Sequence, residues 1–218
     1  MLTICDADIY AFLVDYPGMT IQPQRHNSAL QLSGNFAFSG QPESEPMIID
    51  SYQLEISVSA SFPRSIPDIV EVKSKIQRNG NYHVNPDGTL CLGSPLRIME
   101  KISKNPTLIG FAETCLVPFL YAISHKRQNG GEFPFSELAH GSQGVIDDYK
   151  DLFHLDERFQ VIPTIFLLGL KRRIANKKQC PCGCGKRLGK CRFHLKLNAY
   201  RALAWRSWYS AHAKSLYA

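Results

Sequence analysis

The hydrophobic pattern changes period along the chain. Ile4, Ile9, Phe12 and Leu13 fall on one side of a helix over residues 3–15, which Tyr16-Pro17-Gly18 ends. From Ala29 the period drops to two: Leu30, Leu32, Phe36 and Phe38 alternate with polar or small residues, with a break at Gly34-Asn35. After a turn at GQPESEP, the residues Leu54, Ile56, Val58 and Ala60 alternate with Glu55, Ser57 and Ser59, a half-buried strand. The prolines of FPRSIPDIVEV suit an edge or an irregular exit, with a further strand over Ile69–Val72. Beyond Cys91 the period becomes helical. Leu108, Phe111, Ala112, Cys115, Leu116, Phe119 and Leu120 share one face of a helix that starts at Asn105-Pro106-Thr107, and Cys115 is expected in the core. DDYKDLFHL and VIPTIFLLGLKRRIANKK predict two more helices. Leu197, Tyr200, Ala204, Trp208 and Ala211 predict a last, basic amphipathic one. A helix, a meander of three or four strands, then helices is an α+β order.

Charge divides this pattern. Of the 25 Lys and Arg residues, 13 fall in 171–218, where there is no Asp or Glu. That leaves 12 basic against 19 acidic residues, a net of −7, in 1–170. Such a basic tail serves an acidic partner or nucleic acid, or folds back on its own acidic body. The N-terminus has no basic start of a secretory signal, and the apolar run 161–170 is too short to span a membrane, so a cytoplasmic protein is expected. Gly130-Gly131 lacks the strand before it and the Gly-Lys-Ser/Thr after it that a phosphate loop needs.

Seven cysteines, an odd number with four clustered, point to metal or catalysis rather than disulfides. Cys91 follows the tight-turn residues Asn85-Pro86-Asp87-Gly88, which fold His83 and Asn85 back toward it. A thiol with a fixed amide donor suits acyl transfer through a thioester: the amide steadies the oxyanion formed when an amine attacks. The plainer alternative is a buried cysteine at a strand end. In CPCGCGKRLGKCRFH, thiolates plus one imidazole make a tetrahedral zinc set of the closed, structural kind. Cys180, Cys182 and Cys191 are the expected ligands, with His194 first and Cys184 second for the fourth place. The alternative is a redox-sensitive thiol cluster.

SFPRSIPDIVEV, His83-Val84-Asn85 and GTLCL (residues 88–92) follow an N-terminal helix and a meander. In that order they resemble the ubiquitin-conjugating enzyme fold over residues 1–155. The tripeptide reads His-Val-Asn in place of His-Pro-Asn, and the gap from Asn to Cys is shorter than in the eukaryotic enzymes. Both features, with residues 94–121 and 131–149, are similar to the bacterial ubiquitin-conjugating-like proteins of CBASS antiphage operons. The resemblance implies a transferase with Cys91 as the thioester nucleophile, Asn85 as oxyanion or loop-stabilising residue and His83 as a structural loop residue. It implies a cGAS-like nucleotidyltransferase that donates its C-terminus and a lysine or other amine that accepts it. A non-enzymatic adaptor of the same fold is the second expectation, and a nucleic-acid binder led by the tail is the third. The cysteine cluster resembles the SEC-C zinc motif, with Cys184 where that motif has Ser. The second domain expected is a helical basic region, 156–218, carrying zinc at 180–194.

Overall fold

A computed structural model describes residues 4–23, 28–43, 45–134 and 141–217. Thr3 of the first expected helix, and 135–140 within the segment 131–149, lie outside the described residues. The chain divides into two compact units, Met1–Glu137 and Leu138–Ala218, earlier than the expected division at 155.

The first unit is α+β. Helix α1 (Asp6–Asp15) precedes a four-stranded antiparallel meander: β1 (Met19–Gln22), β2 (Ser28–Gly40), β3 (Ile48–Ser59) and β4 (Asp68–Glu71). The strand period puts Leu32 opposite Ile56 and Phe36 opposite Tyr52, and all four are buried. The break expected at Gly34-Asn35 is absent, because β2 runs through it. Gly34, at φ 144°, faces β1 so closely that a Cβ there would lie 2.1 Å from the Gly18 carbonyl oxygen. That contact admits β1, a strand with no periodic signal of its own.

After α2 (Pro95–Lys104) comes a continuous helix built from α3 (Leu108–Phe111), a π turn (Ala112–Leu116) and α4 (Val117–Asn129). Thr107 accepts the Gly110 amide at 2.9 Å and starts it, and Pro118, which has no N–H to offer, follows the π turn. Cys115 is buried in the core as expected, and burial pushes its thiol up. This helix is 22 residues long and apolar enough to cross a membrane by length and composition. Its most apolar window is 61% buried, and α4 packs on β2 and β3, which makes it the core helix of the unit.

The second unit is helical. It holds α5 (Gly141–Phe153), α6 (Val161–Gly169), the short α7 (Arg172–Ala175), α8 (Phe193–Tyr200) and α9 (Arg206–Tyr217). α5, α6 and α9 pack together around Tyr149, Ile165, Leu168 and Tyr209. The single terminal helix expected from the 197–211 stripe is two helices. The chain turns over residues 201–204, and the Arg201 side chain donates to the carbonyls of Leu167 (2.8 Å), Leu168 (3.0 Å) and Leu170 (2.9 Å) at the end of α6. The register shifts at that turn. Ala211 becomes exposed, while Tyr209, Ala213 and Leu216 are buried.

Candidate thiol site and candidate metal centre

Two cysteine sites stand in separate units. In the first, β4 ends at Glu71, a buried carboxylate that accepts the amides of Lys73 (2.9 Å), Lys75 (2.8 Å) and Ile76 (3.3 Å) and so pins the chain leaving the sheet. A 3₁₀ turn, Gly80–Tyr82, follows, and His83 in a left-handed conformation (φ 51°) redirects the chain. A short antiparallel ribbon then forms. The Cys91 amide donates to the His83 carbonyl (2.7 Å), the Asn85 amide donates to the Thr89 carbonyl (2.8 Å), and Val84 bridges Leu90 between them. Val84 and Leu90 are buried, and Thr89 bridges Val70, so the ribbon lies along β4. Alternation puts His83, Asn85, Thr89 and Cys91 on the other side.

This register separates the three expected residues. His83 is directly opposite Cys91. Asn85 is opposite Thr89, and its Nδ2 donates to Thr89 Oγ1 at 2.9 Å. Thr89 in turn donates its amide (3.0 Å) and hydroxyl (2.6 Å) to Asp87 Oδ1, and these bonds hold the Asp87 carboxyl below its usual value. The Asn85 amide therefore serves the turn. Cys91 is half-buried, and among the described residues its thiol has no hydrogen-bond partner. Gly93 (φ 133°) and Ser94 then carry the chain into α2.

The surroundings of His83 were not legible in the pattern. The Phe133 ring lies 5.2 Å from the His83 ring, and Lys126 Nζ sits 4.1 Å from the Phe133 ring centre while donating to the Asn81 carbonyl at 3.0 Å. Phe133 falls in a loop, where no periodicity ties it to a residue fifty positions earlier.

In the second unit the cysteine cluster closes on itself. A hairpin pairs Gln179 with Arg187, and the Cys180 amide donates to the Lys186 carbonyl at 2.8 Å. Inside it, Gly183 (φ 80°) and Gly185 (φ 71°) take left-handed conformations that turn Cys184 back toward Cys180 and Cys182. A 3₁₀ turn, Leu188–Lys190, returns Cys191 just before α8. The four Sγ atoms of Cys180, Cys182, Cys184 and Cys191 lie within 4.8 Å of one another, with Cys180–Cys182 at 3.2 Å and Cys182–Cys191 at 3.6 Å. Four thiolates about 2.3 Å from a zinc ion stand roughly 3.8 Å apart, so this donor set fits a tetrahedral metal.

Cys184, the second expectation for the fourth place, supplies the fourth sulfur of this candidate site, and His194, the first expectation, lies outside the four-sulfur group. His194, the second residue of α8, has its Nδ1 2.6 Å from the Cys191 carbonyl oxygen, which directs it at the backbone beside the cluster. The Phe193 amide donates to Cys191 Sγ at 3.4 Å. Burial pushes the Cys180 and Cys182 thiols up, while the Lys186 amide draws Cys184 down to about 7. A cation among the sulfurs offsets the cost of ionising the buried pair.

No family model matches the chain, and neither a curated protein nor a solved structure matches it.

Proposed function

We propose that this chain is a thioester-forming transferase of ubiquitin-conjugating-like fold, with Cys91 as the nucleophile. The observation that carries the reading is the ribbon. It holds a half-exposed thiol on its outer side, pinned through the backbone to His83 and followed directly by α2, at the end of an antiparallel meander. The thiolate attacks an activated acyl group at a protein C-terminus and expels its leaving group. An amine then attacks the thioester carbonyl, and the thiolate leaves. The resemblance of 1–155 to the bacterial branch supports a cGAS-like nucleotidyltransferase as donor, a lysine or other amine as acceptor, and a role in CBASS antiphage defence. This chemistry needs reduced thiols, which the cytoplasm supplies. The metal of the second unit is zinc in this reading, held by Cys180, Cys182, Cys184 and Cys191 in a closed, structural set.

A second reading is a non-enzymatic adaptor of the same fold. It is favoured by the Asn85 amide, which bonds to Thr89 in the turn. The test is intact mass, with and without reductant, after co-expression with a cGAS-like nucleotidyltransferase. A reducible adduct present in the wild type and missing in Cys91→Ala is expected. A stable complex in both proteins, with no adduct in either, would establish the adaptor.

A further inference from the structure

The second unit carries a groove of about 430 Å³ between α6 and the cysteine hairpin. One wall is Phe159, Pro163 and Phe166; the other is Lys178, Pro181 and Gly183. Phe159 and Phe166 are 75% and 52% exposed, unusual for two phenylalanines within one element and its lead-in turn. The two walls approach at Gly183, where a Cβ would lie in ordinary contact, 3.4 Å, with Gln160 Nε2. The size is within the range that takes large side chains of a ligand.

Charge says what kind of occupant fits. Five of the 19 acidic and 15 of the 25 basic residues fall in 138–218, so this unit has a net charge of +10. Among the described residues no carboxylate lines the groove. Lys178 lines it, and Lys186 and Arg187 stand exposed on the same hairpin, where the Leu188 amide donates to the Lys178 carbonyl at 2.8 Å. We infer that this groove docks an acidic peptide segment of a partner protein, with an aromatic or large aliphatic side chain seated between Phe159 and Phe166 and its carboxylates on the hairpin cations. A single-stranded nucleic acid needs cations spaced along the whole track of its phosphates, whereas here, among the described residues, Lys178 is the one charged lining residue and the rest of the floor is mostly apolar. The inference does not depend on the chemistry of Cys91.

The test is fluorescence anisotropy on the full, zinc-loaded chain. The probe is a labelled ten-residue peptide of Glu and Asp around a central Phe-Leu. Saturable binding is expected. The double variant Phe159→Ala/Phe166→Ala weakens it by about tenfold or more, Lys178→Glu by several-fold, and Cys91→Ala leaves it unchanged. Both phenylalanines are exposed, so circular dichroism should show the double variant folded. Equal binding of a peptide with Ala-Ala at its centre, equal binding by the double variant, or no binding of the probe at all would overturn the proposal. So would an oligothymidylate that binds more tightly than the peptide.

Discussion

The Asn85 side chain stands one same-side pair away from Cys91 in the ribbon, about 7 Å along it at the usual strand rise, and its amide is bonded to Thr89. This decides what its loss should do. Removing one exposed neutral hydrogen bond costs on the order of 1 kcal/mol. Removing an oxyanion donor slows the chemical step by roughly 10²–10³. Asn85→Ala is therefore expected to slow single-turnover discharge of a Cys91 adduct by less than about tenfold, and Thr89→Val, which also removes the hydroxyl's bond to Asp87, should stay within the same limit. A hundredfold loss in Asn85→Ala with Thr89→Val intact would show that the amide leaves the turn and reaches the reacting carbonyl. The residues of the turn were legible from their types, and so was the approach of the chain to Cys91. The register was not. It follows from three residues, Pro86-Asp87-Gly88, lying between the paired positions 85 and 89, which puts His83 rather than Asn85 across from the thiol.

Elements were legible where their period was long and their ends were local. The Thr107 start, the buried Cys115 and the alternating face of β3 all follow from neighbours in sequence. Two elements were decided by distant contacts instead. β1 exists because Gly34 lets it approach, and the terminal stripe is divided by a turn at 201–204, where the Arg201 side chain reaches the end of α6. Replacing Arg201 with Leu removes the hydrogen bonds it donates to three carbonyls at the α6 end and should destabilise the second unit by about 2 kcal/mol, read as a fall in its unfolding midpoint in urea. The cysteine hairpin is a third case. His194 lies three residues after Cys191 in sequence, but paired left-handed glycines bring Cys184 in, and only the folded turn reveals it. Metal analysis of purified variants should find about one zinc per chain in the wild type and in His194→Ala, and little in Cys184→Ala or Cys191→Ala. Loss of metal in His194→Ala with retention in Cys184→Ala would restore the imidazole to the set.

At the scale of the whole molecule, each unit has its own core and its own sensitivity. The first unit, with the remaining 14 acidic and 10 basic residues, carries a net charge of −4 and is built on the sheet and its core helix. The second depends on the cysteine set and on His212, which is stacked on Trp208 at 4.6 Å and bonded through Nε2 to the Tyr149 hydroxyl at 2.9 Å. Burial holds His212 down to about 4, against 6.5 for the free side chain. Between those values the unfolded chain binds the extra proton and the folded unit does not, so stability rises with pH across that window. The contribution of His212 is complete above about pH 6.5 and is lost as pH falls toward 4. Differential scanning calorimetry should accordingly resolve two transitions. A zinc chelator should lower the Tm of one and leave the other in place. Acidification from pH 7 to 5 should lower that same transition, and His212→Phe should remove much of its pH response at the cost of the Tyr149 hydrogen bond. A single transition that chelation shifts as a whole would mean that the two units fold as one cooperative body.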